Sequence, residues 1–286
     1  MAQQTADGGH FEHSKKADIG IVDGVRRPLK VVFLGAGSGF YEKLLIDVLN
    51  IPGADKGETA IVDIDRERLE LAERLGNKII ADMGKDWTVT ATTQRRDVLK
   101  GADYVINCIE VSGVETVRFD NDIPLKYGVD QCIGDTIGPG GLMKALRTVP
   151  VFLEVLRDIE ELCPDAWVLN YTNPMSIMCL AAHRAARANV VGLCHGVQGT
   201  SHALARYCDV PYEELEWDCG GVNHLAWFTT LRHQGRDLYP MLKDKARNDP
   251  DLRERRVKAR ELLDGFDRWS LEHVPREIND RADSLA

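Results

Sequence analysis

Short apolar runs alternate with longer amphipathic segments through about the first two hundred residues of the chain. The first run ends at the glycine-rich turn Gly35–Gly39, and Tyr41–Asn50 then places its apolar side chains at helical spacing. Further apolar runs predict strands at Ala60–Asp63, Thr88–Thr92, Tyr104–Cys108, Trp167–Asn170 and Val190–Leu193. Two long segments, Arg66–Met83 and Leu142–Leu162, predict helices. This alternation is typical of a parallel sheet covered on both faces, so we expect an α/β fold of the Rossmann-like, doubly wound class.

The pattern changes after residue 211. Glu216–Arg232 is followed by Gln234-Gly235, a pair that favours a hairpin turn, and the dense charge of Asp249–Glu261 predicts a solvated helix. We therefore divide the chain into a disordered lead-in at 1–28, a Rossmann-like domain at 29–211 and a partial α+β domain at 212–286.

Composition excludes several classes of protein. Of the 286 residues, 44% are hydrophobic and 28% are charged, which is ordinary for a globular protein. No apolar run reaches the roughly 20 residues that a membrane helix needs, so we expect no membrane partner. The net charge of -9 disfavours nucleic acid as a partner. Seven scattered cysteines without a CxxC pair, and no signal-like leader, favour the cytoplasm.

The glycine turn predicts a dinucleotide site. Gly35 permits the tight turn after the first strand, and Gly37 lets a pyrophosphate approach the backbone. Ser38 follows in the same turn, just before the helix N-terminus. Asp63 ends the second strand, where a carboxylate can accept from ribose hydroxyls, and this favours NAD over NADP. Asp65 is the alternative carboxylate for that role.

One position departs from the dinucleotide pattern. The sixth residue of GxGxxG, usually a small one, is Phe40 here. A glycine turn in another kind of α/β protein is the alternative interpretation. Strand, turn, helix and acidic residue nevertheless occur in the expected order.

Polar residues follow three of the predicted strands, at Asn107–Glu110, Asn170–Pro174 and Cys194–Gly199. Because ligands bind beyond the carboxyl ends of the strands in such sheets, these groups are candidates for a site. Asn173 precedes a proline, which holds it extended. Turn chemistry alone is the alternative explanation for Asn170 and Asn173.

Spacing along the sequence does not by itself assign the metal ligands or the role of the glycine-rich loop. Cys194 and His195 are adjacent and would point to opposite faces of extended backbone, so they would not bind one metal together. His224 is a partner for Cys194 only at long range, and a buried thiol and a structural histidine are the simpler interpretations. The Gly134–Gly141 segment could line a pocket or only lead into a helix.

Taken together, these motifs resemble the NAD-dependent glycoside hydrolases of family 4. The resemblance covers about residues 30 to 242, with its motifs in family order. The matching stretches are Val32–Ser38, Asp135–Pro150, Asn170–Pro174, Gly192–Thr200 and Gly221–His224. The Cys194–Gly199 stretch is most similar to the branch that acts on unphosphorylated α-glycosides, such as α-galactosidases and α-galacturonidases.

The resemblance implies an unusual hydrolysis of a small-molecule α-glycoside. This family departs from the two-carboxylate scheme of other glycosidases. Oxidation by NAD at the sugar C3 acidifies the C2 proton, elimination releases the C1 leaving group, water adds, and the hydride returns. A divalent cation, typically Mn²⁺, polarises the C3 carbonyl.

Residue by residue, the resemblance implies that Cys194 and His224 bind the metal and that Asn173 binds substrate hydroxyls. Asp120 matches a proposed general acid, with Asp122 as its alternative. The resemblance places the C2 base within Arg255–Ala286, where no single residue can be assigned. Family members are longer than this chain, so much of their C-terminal part has no counterpart here.

Two other functions stay open at this stage. An NAD-dependent 2-hydroxy-acid dehydrogenase would share the Rossmann-like half. A truncated or inactive relative would retain NAD binding without sugar turnover. Apolar surface left without the longer C-terminal part would also favour a homo-oligomer.

Overall fold

The computed structural model describes residues 24–131 and 134–248. Within these residues, six parallel strands form the larger sheet. They are β1 (Leu29–Leu34), β2 (Lys56–Val62), β3 (Asp86–Thr92), β4 (Tyr104–Asn107), β5 (Trp167–Asn170) and β6 (Asn189–Gly192). Their spatial order is β3-β2-β1-β4-β5-β6, so the order reverses between β1 and β4. This order is that of the Rossmann fold and confirms the predicted class.

Helices connect these strands and continue beyond them. They are α1 (Tyr41–Leu49), α2 (Arg66–Asp82), α3 (Arg96–Leu99), α4 (Val117–Leu125), α5 (Gly138–Leu162), α6 (Met175–Ala185), α7 (Gly196–Tyr207) and α8 (Tyr239–Asn248). The helix predicted from Leu142 begins one turn earlier, at Gly138. Proline lies in its first turn, where its fixed φ and missing N–H favour helix initiation. Residues 138–141 of the glycine-rich segment are therefore part of the helix itself, whereas residues 134–137 precede it.

The strand β1 shows how the core is divided between the two faces of the sheet. Val32 and Leu34 face the cluster that contains Phe152 of α5, whereas Val31 and Phe33 face the cluster around α1. Successive strand residues point to opposite faces, and here both faces are covered by helices. Burial of each such side chain stabilises the fold by about 1.5–3 kcal/mol. The uninterrupted apolar run is therefore the signature of a central strand.

The chain divides into two compact units, and the division along the described chain falls between Cys194 and His195. In the second unit, β7 (Leu215–Val222), β8 (Leu225–His233) and β9 (Arg236–Asp237) form an antiparallel sheet. Its core includes Leu215, Leu231 and Leu238. The domain division at 211/212 stays a prediction.

Two turns shape this small sheet. Gln234 and Gly235 both have positive φ, 50° and 78°, and join β8 to β9, as the sequence predicted. A second turn, at Asn223-His224, interrupts the predicted run 216–232 and separates β7 from β8.

Part of the predicted lead-in is ordered against the larger unit. Val25 donates its N–H to the carbonyl of Pro52 at 2.7 Å, and Arg27 makes two hydrogen bonds to Asp103. Residues 1–23, and the helix predicted at 249–261, lie outside the described residues. Among the described helices, none is long and apolar enough to cross a membrane.

Candidate functional site

A cavity of about 980 Å³ lies at the carboxyl ends of the strands in the larger unit. The glycine turn after β1 and the end of β2 line one half. The residues that follow β4 and β5 line the other half. This is the point where the strand order reverses, and it is where doubly wound sheets bind their ligands.

The turn after β1 depends on glycine. Gly35 has φ of 79° and donates its N–H to the carbonyl of Val62 at 2.9 Å. A Cβ at this position would lie 2.6 Å from the carbonyl oxygen of Cys108. Any larger residue would therefore push the turn away from the residues that follow β4.

The structure separates the two candidate carboxylates. Asp63 accepts from the N–H of Gly37 at 2.8 Å and from that of Asp65 at 2.9 Å, and it lines the cavity. Asp65 is the N-cap of α2 and accepts from the N–H groups of Glu67 and Arg68. Asp65 also lines the cavity, but its capping hydrogen bonds hold it at the start of α2. Asp63 is therefore the carboxylate placed beside the glycine turn.

Phe40, the sixth residue of the glycine pattern, has an exposed side chain. Phe40 is 43% exposed, and its ring lies 5.6 Å from that of Tyr171, across the cavity lining. A small residue is needed there only when the side chain would enter the contact between helix and strand. The hydroxyl of Ser38 accepts the N–H of Phe40 at 3.3 Å, which orders the same turn. Burial raises the pKa of the nearby Cys108 thiol to about 12, so this thiol is uncharged at neutral pH.

Two of the polar strand ends form a structural network. Asn107 of β4 donates to Asn170 of β5 at 2.8 Å, and Asn170 donates to the carbonyl of Thr172 at 3.0 Å. Both asparagines are fully buried. Turn chemistry thus accounts for Asn170, which shapes the segment that presents Asn173.

A chain of charged and polar contacts runs from Asn173 across the cavity. The amide nitrogen of Asn173 donates to the carboxylate of Asp135 at 3.3 Å, and the Lys144 ammonium lies 3.6 Å from the same carboxylate. Lys144 also donates to Glu110 at 2.7 Å, although only 3% of this lysine is exposed. All four residues line the cavity.

No sequence motif indicated a role for Lys144. The available signal was its helical spacing from Gly141, Ala145 and Thr148, which form the buried face of α5. A lysine in such a stripe must find anionic partners inside the protein. Which carboxylates these are depends on chain segments far away in sequence.

Asp120, the predicted general acid, does not have the surroundings expected of a catalytic acid. It is 5% exposed and receives two hydrogen bonds from Arg147, at 2.9 and 2.5 Å. Hydrogen bonding to Asp120 also raises the pKa of Arg147. Asp120 is not among the residues that line the cavity, and its acid role stays a prediction.

The two predicted metal ligands belong to different units. Cys194 follows β6 and is a half-buried thiol outside any disulfide. His224 lies at the β7–β8 turn with φ of 61°, a conformation that histidine adopts more often than most residues. Within the described residues, no three His, Cys, Asp or Glu side chains converge as a metal site would require. Their ligand role stays a prediction.

Comparison with known proteins identifies the family. The profile described as "Family 4 glycosyl hydrolase" matches residues 30–210, and that of the family's C-terminal domain matches 219–279. The chain therefore belongs to glycosyl hydrolase family 4. The α-galactosidase of Rhizobium meliloti (strain 1021) is 42% identical over 211 residues, 73% of this chain and 43% of that protein. The α-galactosidase of Bacillus subtilis (strain 168) is 36% identical, over 83% of this chain and 55% of that protein.

A solved structure shows the same fold. The 6-phospho-α-glucosidase from gut microorganisms, crystallised with NAD and Mn²⁺, is 25% identical with a TM-score of 0.69. The match covers 78% of this chain and 52% of that protein. The family 4 chain thus spans about half the length of the curated relatives it matches. Membership of this family supports a glycosidase over the hydroxy-acid dehydrogenase alternative.

Proposed function

We propose that this family 4 chain acts in the hydrolysis of α-glycosides with NAD and a divalent metal, Mn²⁺. The observation that carries the proposal is the division of one cavity into two halves. The turn at Gly35 and Gly37 with Asp63 fits a dinucleotide, and Asn173 with its charged neighbours fits a polyol.

The first half fits NAD on structural grounds. Gly39 is open, since a Cβ built there would meet nothing within 4 Å. The turn leads directly into α1, whose N-terminus favours a pyrophosphate. Each oxygen of Asp63 accepts one backbone N–H, which leaves further lone pairs for ribose hydroxyls.

The second half orients the sugar. Asn173 is fixed at both ends of its amide, since the nitrogen donates to Asp135 and the oxygen accepts from the N–H of Met175 at 3.4 Å. A fixed amide can hold sugar hydroxyls in one orientation relative to the cofactor. NAD supplies the hydride acceptor, which the side chains of the protein cannot provide.

We propose Cys194 and His224 as protein ligands of the metal. A thiolate and an imidazole are donors of the type that divalent transition metals accept, and two protein ligands leave positions open for substrate. The metal supplies a Lewis acid for a sugar oxygen. We also propose Asp120 as the general acid, the role that its match to the family motif implies.

We also propose that the protein acts in the cytoplasm and forms a homo-oligomer. None of the six described cysteines forms a disulfide, which is the usual state in the cytoplasm. Exposed apolar side chains on α4 and α5, among them Phe119, Ile123, Leu142 and Leu146, favour a homo-oligomer. Sedimentation velocity on the full chain measures that state directly.

Hydrolysis of a substrate panel tests the activity. Aryl α-galactoside, α-glucoside and α-galacturonide are offered with NAD, Mn²⁺ and a thiol reductant, and each additive is omitted in turn. We expect turnover of at least one glycoside that requires both NAD and Mn²⁺, with solvent deuterium incorporated at C2 of the product.

Two other results would change the conclusion. Turnover without NAD or without deuterium at C2 would rule out the oxidation and elimination route. Calorimetric binding of NAD with no turnover of any glycoside would instead favour the inactive, NAD-binding relative.

A further inference from the structure

We propose that Asp135 is a positioning residue, whose carboxylate fixes the direction of the Asn173 amide. This inference rests on the proposed function, because Asn173 is the residue to which that function assigns the hydroxyls of the sugar. It goes further, since it gives roles to the buried Lys144 and to the glycine-rich segment 134–141, which the proposed hydrolysis does not itself use.

Both oxygens of the Asp135 carboxylate have partners within the protein. Oδ1 accepts a hydrogen bond from the hydroxyl of Thr136 at 2.7 Å, and Oδ2 accepts one from the amide nitrogen of Asn173 at 3.3 Å. The ammonium of Lys144 lies 3.6 Å from the same Oδ2. A carboxylate held in this way can act on a ligand through the neighbour that it orients.

Lys144 anchors this carboxylate from the interior of the larger unit. Its side chain is 4% exposed, and it reaches Asp135 while it donates a hydrogen bond to Glu110 at 2.7 Å. A buried ammonium needs anionic partners, and its attraction for them is stronger than at the surface. The cation therefore keeps the side chain of Asp135 beside α5 and limits the positions that its Oδ2 can take.

The glycine-rich segment places Asp135 at the cavity. A Cβ at Gly141, in the first turn of α5, would lie 2.5 Å from the carbonyl carbon of Thr136. The backbone that precedes α5 therefore lies directly against that turn, an approach that only glycine allows. This path brings Asp135 to the wall of the cavity, where Asn173 is also found. The segment thus leads into the helix and lines the cavity as well.

The direction of the Asn173 amide matters because its two ends have opposite chemistry. The nitrogen donates and the oxygen accepts, so a half-turn of the amide exchanges the two. A carboxylate accepts, so Asp135 holds the nitrogen end, while the backbone N–H of Met175 donates to the oxygen at 3.4 Å. One N–H and one lone pair then remain in fixed directions for sugar hydroxyls. Without Asp135, binding of the sugar would have to order the amide as well.

Calorimetry on the full chain with saturating NAD and Mn²⁺ tests this assignment. The probe is methyl α-galactopyranoside or methyl α-glucopyranoside, whichever the wild type binds more tightly. Asp135→Ala removes the acceptor and should raise the Kd of the sugar about tenfold, because a hydrogen bond and the order of the amide are lost. Asp135→Asn keeps an oxygen acceptor on a side chain of the same size and should stay within about threefold of the wild type.

A second background separates positioning from a merely structural role. Once Asn173→Ala has removed the amide, Asp135→Ala should change the Kd of the sugar less than about twofold, because the effects of residues that act through one contact do not add. A general loosening of the cavity would instead weaken sugar binding equally in both backgrounds.

Control variants complete the design. Asp130→Ala removes the same side chain from an exposed position of the same connection to α5, outside the cavity lining, and should leave the Kd of the sugar unchanged. Asp135→Ser has a side chain too short to reach the Asn173 amide, and it replaces the alanine variant if that one does not fold. The Kd values for NAD and for Mn²⁺ are measured on every variant and should stay constant.

The outcomes separate the two proposals. An unchanged sugar Kd in Asp135→Ala, or an equal loss with and without the Asn173 amide, would overturn the assignment of Asp135 alone. A raised Kd for Mn²⁺ in Asp135→Ala would also overturn it, because the carboxylate would then act on the metal. A wild-type chain that binds NAD but neither sugar would overturn the proposed function together with this assignment.

Discussion

Asp63 and Asp65 stand two residues apart, yet the backbone gives them different surroundings. Asp63 receives N–H groups from the glycine turn and from Asp65, which hold its carboxylate at the wall of the cavity. Asp65 turns toward the first turn of α2 and caps it. The same residue type therefore braces the glycine turn at one position and caps a helix at the other.

Replacement of each aspartate by alanine should separate these roles. We expect Asp63→Ala to raise the Kd for NAD about 10- to 100-fold, because a hydrogen bond to a charged acceptor is lost. Asp65→Ala should leave that Kd nearly unchanged and lower the free energy of unfolding by about 1 kcal/mol through loss of the cap. Calorimetry and urea denaturation measure the two effects. Equal effects of both changes on NAD binding would remove Asp63 from its assigned role.

At the scale of elements, close contacts decide how the helices pack. Tyr41 of α1 is fully buried, and its hydroxyl lies where a Cβ of Gly76 in α2 would be. Burial raises the pKa of Tyr41 to about 12, so the ring is neutral at every physiological pH. The glycine in the middle of α2 is explained by this contact, although glycine is unfavourable inside a helix.

Gly76→Ala should destabilise the protein despite the better helix propensity of alanine. We expect a loss of about 1–3 kcal/mol in the free energy of unfolding, because the added methyl group overpacks the contact. Tyr41→Phe in the same background removes the hydroxyl and should restore part of that loss. The control is Gly199→Ala in α7, where a Cβ meets nothing within 4 Å. It should be neutral or stabilise by up to about 1 kcal/mol.

Ion pairs join Arg95 and Arg96, at the start of α3, to Asp158 of α5. This link between the two helices predicts that the stability of the fold depends on pH. Burial raises the pKa of Asp158, but hydrogen bonds from Arg95 and Arg96 outweigh it, and the pKa is lowered overall. A lowered carboxyl pKa contributes stability that is fully present above the unfolded value, about 3.9, and is lost as the pH falls through the folded value. The link should therefore weaken only in acid.

Urea unfolding at a series of pH values tests this link. Asp158→Asn should destabilise the protein at neutral pH, and its difference from wild type should shrink below about pH 4. Glu161→Gln provides the comparison, because its pair with Arg96 is exposed and should matter little at any pH. A difference between Asp158→Asn and wild type that does not change with pH would contradict the assignment.

At the scale of the whole molecule, the cavity belongs to the larger unit, while the smaller unit has its own sheet and core. Elements from both halves of the six-stranded sheet line the cavity. A ligand that fills it therefore contacts segments that are distant in sequence, and its binding energy should add to the stability of that unit.

NAD should raise the melting temperature of the chain. At a concentration of about 100 times its Kd, the added stability is about 2.7 kcal/mol, which corresponds to roughly 5–10 °C. NADP should give a smaller shift, because its 2′-phosphate would meet the carboxylate of Asp63. Scanning calorimetry with each cofactor makes the comparison. A larger shift with NADP would reverse the predicted cofactor preference.

Local patterns predicted much of the fold, and they also predicted a dinucleotide site at the glycine turn. The strand, glycine turn, helix and Asp63 lie within one short stretch of chain, so their spacing alone indicated their roles. Helix boundaries were less accurate where backbone chemistry overrides apolar spacing, as at Gly138, where α5 begins. The Asn223-His224 turn was missed because no glycine or proline marks it.

By itself, the sequence determined the fold class, the glycine turn and the family motifs, because these depend on residues close together along the chain. The tertiary structure alone decided the strand order, the separation of Asp63 from Asp65, and the pairing of Lys144 with Glu110 and Asp135. Lys144 and Glu110 lie on a helix and after a strand far apart in sequence. They meet only because the order of the strands brings the end of β4 beneath α5, and no local pattern encodes such a contact.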